Sequence, residues 1–281
     1  MRRITETIRQ YYDQLSPSER RVANFIVDHL DDLATYNSVE LSQHCNTSKA
    51  TISRLVRRLG YKNFKEVRDE LKLMRQSGVP VPGPTLQVGS NFVDRHMASE
   101  MQNYQRLKVL LHSDKLNKVI ELLSNAKSVS VIGFRNSYPV AMHLRQQLIQ
   151  IRSNVYLLPL PGQTLGEELE DITSDDLVVL IAFHRRPSGF NNFFKTLIKL
   201  EVPVLLICEE NSGLATEKLT DMLELPLDTI SAFDSYALPM SLVSLMSNLL
   251  LHYQLDKGRA RIEKINQLYD STEELDINLS Y

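Results

Sequence analysis

From residue 128 onward, short apolar runs alternate with longer amphipathic ones, and this pattern constrains the fold more than any other feature of the chain. Five runs have β character: "SVSVIG" (128–133), "NVYLL" (154–158), "DLVVLIAF" (176–183), "VPVLLIC" (202–208) and "MLELPL" (222–227). Helical periodicity is expected at about 138–151, 188–200, 212–220 and 236–255. A run such as "DLVVLIAF" is apolar on both faces of a strand, so both faces must be covered. Alternation of such strands with helices predicts an α/β doubly wound parallel sheet.

The chain ahead of this region has a different character. Ser16 precedes Pro17, and Glu19 follows three residues on, a capping-box pattern with proline in the first turn. Val22, Phe25, Ile26 and Leu30 then supply one apolar face. Short helices are expected over 38–44 and 48–59, the second ended by Gly60, with more helix through "FKEVRDELKLMRQ". Residues 77–90, "SGVPVPGPTLQVGS", hold three prolines, three glycines and no charge, which marks a linker. The expected organisation is therefore an all-α domain over 1–76, a linker over 77–90, and the α/β domain over 91–281. That last domain opens with helix at about 92–124 and closes with one more helix and a polar tail from about Lys257 to Tyr281.

Charge separates the two parts. Residues 1–80 carry 14 Lys/Arg against 10 Asp/Glu, and the remainder carries 18 against 24. Within Lys49 to Arg75 the balance is nine basic to three acidic. A basic first part joined to an acidic second part directs a polyanion such as DNA to the first alone. The apolar stretches are too short or too interrupted to span a bilayer, and "MRRITETIRQ" lacks the apolar core of a signal peptide. Cys45 and Cys208 match no metal-binding spacing and suit a reducing cytoplasm. No cofactor or metal site is expected.

The basic stretch has a specific form. In "VELSQHCNTSKATISRLVRRLGYKNF" a short helix, a turn at Cys45–Asn46–Thr47 and a second helix from Ser48 make a helix-turn-helix pattern. At 100° per residue Ile52, Leu55, Val56 and Leu59 share one sector. Ala50, Ser53, Arg54 and Arg57 fall opposite, with Lys49 and Thr51 on the flanks near the end that meets base edges in a major groove. Arg54 has the reach for a guanine edge, and Ala50 or Thr51 suits a thymine methyl. Arg57, Arg58, Lys62 and Lys65 are expected on phosphates. The competing reading is a helical hairpin whose charged face is merely solvated. The charge excess, and the small residues among the arginines, favour DNA.

This part of the chain resembles the N-terminal domain of the RpiR/MurR family of bacterial transcriptional regulators. The resemblance rests on "LSPSERRVA" (15–23), the S-x-x-T-I-S-R run (48–54) and "LGYKNFKE" (59–66). It implies that the second domain is a SIS (sugar isomerase) domain sensing phosphosugars, in a dimeric or tetrameric regulator that binds repeated or inverted half-sites.

In a SIS-like sheet, ligands sit where the strand order reverses, between strands 128–133 and 176–183. The first loop, "GFRNSYPVA", keeps Gly133, Ser137, Val140 and Ala141 of the resembled G-x-G-x-S-x-x-V-A pattern but has Arg135 at the second glycine. The second loop, "HRRPSGF", departs further from the resembled I-S-x-S-G-x-T. His184, Arg185 and Pro187 stand where hydroxyls and glycine would cradle a phosphate. Arg135, Ser137, His184, Arg185 and Arg186 are therefore the candidate effector residues, suited to an anion held by guanidinium groups. The alternative has these arginines pairing with the acidic run 166–171 or with Glu209 and Glu210, leaving a domain used only for oligomerisation. An isomerase is a third reading, with Glu209, Glu210 or His184 as bases, but the altered cradle and the attached DNA-binding unit oppose it. No catalytic residue is assigned. The apolar helix over 234–255 is suited to a core or to a subunit contact.

Overall fold

The computed structural model describes residues 4–28, 33, 36–77, 90–111, 113–229 and 233–275. Most of the expected linker, 78–89, and the end of the tail, 276–281, lie outside the described residues. The chain forms two compact units, Met1–Glu100 with Asp228–Asp234, and Met101–Leu227 with Ser235–Tyr281.

The first unit is helical: α1 (Ile4–Tyr11), α2 (Pro17–Asp28), α3 (Ser38–His44), α4 (Lys49–Arg58) and α5 (Phe64–Ser77), followed by the first part of α6 (Ser90–Leu110). Side chains define where these helices begin. The Ser16 backbone N–H donates to Glu19 Oε2 at 2.9 Å, and the Glu19 N–H faces Ser16 Oγ at 3.4 Å, closing the capping box at α2. Asn37 and Glu40 form another at α3, and Ser48 Oγ accepts from Thr51 N–H at α4. Gly60, at φ +92°, ends α4 in a conformation that costs glycine nothing. Ile52, Leu55, Val56 and Leu59 are buried with Val22, Ile26, Leu41 and Val67 in a single core.

The second unit holds a five-stranded, fully parallel sheet in the order β2-β1-β3-β4-β5. Its strands are β1 (Val129–Gly133), β2 (Val155–Leu158), β3 (Leu177–Ile181), β4 (Val204–Glu209) and β5 (Asp221–Leu225). Every residue of β1, β3 and β4 is buried. Alternate side chains go to opposite faces. Val129, Val131, Val179, Ile181, Leu205 and Ile207 join a core with α7 (Ser113–Asn125), α8 (Ser137–Ile151) and α11 (Ala237–Tyr253). Ile132, Val178, Leu180, Val204 and Leu206 join the other with α9 (Leu165–Glu170) and α10 (Phe190–Lys199). Helix α12 (Leu255–Thr272) packs on α8 and donates from Arg261 Nε to the Ile149 carbonyl at 2.9 Å.

The structure corrects one expectation of local structure and adds a helix where none was expected. Residues 212–220 are not a helix. Gly213 is left-handed at φ +73°, and the Ser212 and Thr216 hydroxyls accept from Leu214 and Lys218 N–H. These local bonds compete with a helix and win. Conversely, the acidic run forms the short helix α9, where Glu167 accepts from the Thr164 hydroxyl and Glu168 from Gln163. Glu167 and Glu168 are thus engaged with their own neighbours.

Candidate functional site

Two places carry candidate chemistry, one in each unit. In the first, α4 turns its apolar sector into the core and leaves Lys49, Ala50, Arg54 and Arg57 exposed, with Lys62 and Lys65 exposed just beyond it. Ser53 is half-buried. Ser48 and Thr51 have capping roles: their hydroxyls lie 3.0 Å apart, and Thr51 is buried at the start of the helix. Arg58 is tied back to the body of the domain, donating to the Gln14 carbonyl at 2.8 Å and standing 3.4 Å from Glu19. Burial alone would raise the Glu19 pKa, but the Ser16 N–H and hydroxyl, with the Arg58 and Arg54 charges, hold it below the ordinary value. The positive surface of α4 is thus Lys49, Arg54 and Arg57, with Arg58 exposed beside them but bonded back to Gln14, and it is continued by Lys62 and Lys65.

In the second unit the sheet order reverses between β1, which pairs with β2 and β3, and β3, which continues to β4. The crevice beyond the carboxyl ends of β1 and β3 is where open α/β sheets bind ligands. Gly133 ends β1 beneath the first turn of α8. A Cβ there would lie 2.8 Å from the Ala141 Cβ and 2.8 Å from the Ser137 carbonyl oxygen, so only glycine allows this approach. Ser137 is buried, and its Oγ accepts from the Phe183 N–H at 3.0 Å, bridging the loops after β1 and β3. Arg135 is exposed at φ +53°, a left-handed conformation that costs a non-glycine residue about 1–2 kcal/mol. That geometry accounts for the glycine of the resembled pattern.

The charges after β3 are arranged around one carboxylate. Glu209, the last residue of β4, accepts from the His184 N–H at 3.1 Å and from Arg186 at 2.6 Å. Arg186 also donates from Nε to the Ala182 carbonyl at 2.9 Å and lies 5.5 Å over the Phe190 ring. The Arg186 and Glu209 side chains are only 18% and 11% exposed, so the pair is largely desolvated. Phe134 meets Phe190 and Phe193 edge-on, as part of the core on that face of the sheet. His184 and Arg185 are half-buried, and the His184 carbonyl faces the Tyr236 hydroxyl at 3.4 Å. Next to Glu209, Glu210 pairs with Arg106 of α6.

The structure thus brings Ser137, His184 and Arg186 to one end of the sheet and keeps Arg135 at its solvent edge. From the residues alone Glu209 is a partner for the arginines or, in the isomerase reading, a base, and the steric role of Gly133 does not show. The signal for Glu209 was present, since β4 ends in charge, "LLICEE", as abruptly as β3 does.

A second cleft, of about 650 Å³, lies at the amino ends of β3 and β4, lined by Lys118, Lys127, Asp176 and Pro203. Asp176 is engaged there by the Ser128 and Thr173 hydroxyls. Among the described residues no cluster of His, Cys, Asp or Glu could hold a metal ion, and no helix is long and apolar enough to cross a membrane.

Comparison with known proteins places both units. The helix-turn-helix domain model of the rpiR family matches residues 2–77, and the SIS domain model matches residues 122–249. The chain is 23% identical over 231 residues to the HTH-type transcriptional regulator HexR of Escherichia coli K12, covering 80% of this chain and 79% of HexR. It is 21% identical over 221 residues to the bifunctional protein glk of Paraburkholderia xenovorans, covering 75% of this chain but only 34% of that protein. It therefore spans about a third of the bifunctional relatives it matches. The Vibrio vulnificus NanR protein complexed with ManNAc-6P has the same fold at a TM-score of 0.57 and 19% identity, covering 96% of this chain and 98% of NanR.

Proposed function

Because the chain belongs to the RpiR family, with its helix-turn-helix and SIS domains, we propose that it is a transcriptional regulator that binds DNA through α4 and senses a small anionic metabolite in its SIS domain. The observation that carries the reading is the division of α4 into a fully buried apolar sector and an exposed face bearing Lys49, Ala50, Arg54 and Arg57. Such a face, at the second helix of a helix-turn-helix, has the charge and the small residues that a major groove accepts. Arg54 and Ala50 are assigned to base edges, and Lys49, Arg57 and Lys62 to phosphates. Ser48 and Thr51 hold the helix start, and Arg58 holds α4 against the Glu19 cap.

For the effector, the crevice at the ends of β1 and β3 is the proposed site. A sugar phosphate is the favoured class, since NanR, which shares the fold, is complexed with ManNAc-6P. Arg135, Ser137, His184, Arg185 and Arg186 are the residues assigned to it. A second reading, a SIS domain without ligand, draws on the Arg186–Glu209 pair, which already neutralises one arginine. The domain combination supports a regulator over an isomerase, and detection of sugar-phosphate isomerisation by the purified chain would reverse that preference. Repeated operator half-sites call for a dimer or tetramer, and exposed Met142, Leu245 and Leu268 of the second unit are apolar surface that another copy would cover. A cytoplasmic location follows from DNA as the partner.

The test uses DNA from upstream of the chain's own gene and fragments selected from a random library, in gel shifts over a range of salt. Arg54→Ala is expected to lose about 1–3 kcal/mol of discrimination at one base pair. Arg57→Ala is expected to weaken all sequences alike and to lower the salt slope by about one. Retention of wild-type binding by both variants would end the assignment of α4.

A further inference from the structure

The two main-chain N–H groups of Phe183 and His184, just beyond β3, are both taken by the protein's own oxygens. Phe183 N–H goes to Ser137 Oγ at 3.0 Å, and His184 N–H goes to Glu209 Oε2 at 3.1 Å. A backbone N–H has one hydrogen to give. A carboxylate that accepts from a main-chain N–H and a guanidinium together has the partners that a bound phosphate would have. We infer that Glu209 is an internal occupant of the anion site, which an anionic effector must displace from the His184 N–H and from Arg186 before it binds. The inference rests on the proposed reading of the crevice as the effector site and adds a mechanism to it.

The local chemistry supports exchange over simple addition. An anion entering with Glu209 still in place would meet a second negative charge within hydrogen-bonding distance, beside an ion pair so little exposed that water screens it weakly. With the carboxylate withdrawn, the same donors are released together, and Arg186 stays aligned by its bond to Ala182 and its stack on Phe190. The exchange also sets specificity. A neutral sugar has no charge with which to replace a carboxylate on a largely desolvated guanidinium, whereas a phosphate replaces it with additional acceptors. Affinity is reduced by the fraction of molecules in which Glu209 is in place, so the site is tuned to effector concentrations well above those an open site would need.

Calorimetric titration of the full chain with inorganic phosphate tests this, using wild type, Glu209→Gln, Glu209→Asp and Glu209→Gln combined with Arg186→Gln. Glu209→Gln is expected to bind phosphate at least ten times more tightly than wild type, and the double variant to lose that gain. Hydrogen exchange supplies a second readout, in which recovery of protection on adding phosphate is what a purely structural role would not give. The His184 amide should exchange faster in Glu209→Gln, and phosphate should restore its protection. Should Glu209→Gln fail to fold, Glu209→Asp, which retracts the carboxylate by one methylene, should show a smaller gain of the same sign. If wild type binds phosphate and neither variant binds it more tightly, the displacement idea falls while the effector site stands. If no form binds phosphate even when Glu209 is neutral, both fall.

Discussion

Replacing Gly133 by alanine should disturb the SIS unit at a point where backbone leaves no room for a side chain. The added Cβ would sit 2.8 Å from both the Ala141 Cβ and the Ser137 carbonyl oxygen, and 3.0 Å from the Ser137 carbonyl carbon. Two of those atoms are backbone in the first turn of α8, so no rotamer change relieves the contact. β1 and α8 must instead separate by a few tenths of an ångström in a core where both are buried. Overpacking of this kind costs about 1–3 kcal/mol. For a unit of this size each kcal/mol lowers the melting temperature by about 2–4 °C, so a mid-range cost of about 2 kcal/mol gives a fall of about 4–8 °C. Scanning calorimetry measures it, and hydrogen exchange identifies the transition through the β1 and α8 amides. Gly166→Ala is the control, because a Cβ there meets nothing within 4 Å, and its effect should stay within about 0.5 kcal/mol. Adding Ala141→Gly to Gly133→Ala removes one contact and leaves the Ser137 oxygen, so recovery should be partial. A Gly133→Ala variant that melts with the Gly166→Ala control would refute the steric account.

Further expectations concern the rest of the molecule. Burial alone would raise the Asp176 pKa, but the Ser128 hydroxyl, the Thr173 N–H and hydroxyl, and Lys127 together hold it below its ordinary 3.8. Its contribution is therefore fully present above about pH 4 and is lost as pH falls through the depressed folded value, so Asp176→Asn should flatten the stability curve in that acid range. An unchanged slope in acid urea titrations would contradict this. Burial pushes the Cys45 and Cys208 thiols up to about 11, so native chains at pH 8 should react with a thiol reagent only as fast as they open. Rapid stoichiometric labelling would show the thiols to be accessible. Arg152 donates to the Leu123, Ala126 and Lys127 carbonyls at the end of α7. Arg152→Ala should cost about 1–3 kcal/mol in chemical denaturation, since those acceptors lose a half-buried charged donor, and a loss under about 0.5 kcal/mol would show that water replaces it.

Much of the molecule was legible in the residues alone, because local signals there agree with the final structure. The cap at Ser16 and Glu19, the turn after His44 and the stop at Gly60 act within a few residues of themselves, so helix limits around α2, α3 and α4 could be read directly. The continuous apolar runs fixed β1, β3 and β4 as strands covered on both faces. Where local bonding competed with periodicity, as at Ser212, Gly213 and Thr216, the periodicity misled. Tertiary structure alone decided which charges meet. Arg186 and Glu209 stand 23 residues apart, joined because β3 and β4 pair in the register Ile181 to Ile207. That register depends on the packing of whole faces, and so does the closeness of Gly133 to Ser137. Arg186 and Glu209 each carry their charge in the sequence, but whether it is solvated, bound to a ligand or cancelled by a neighbour is set only when the sheet closes and excludes water.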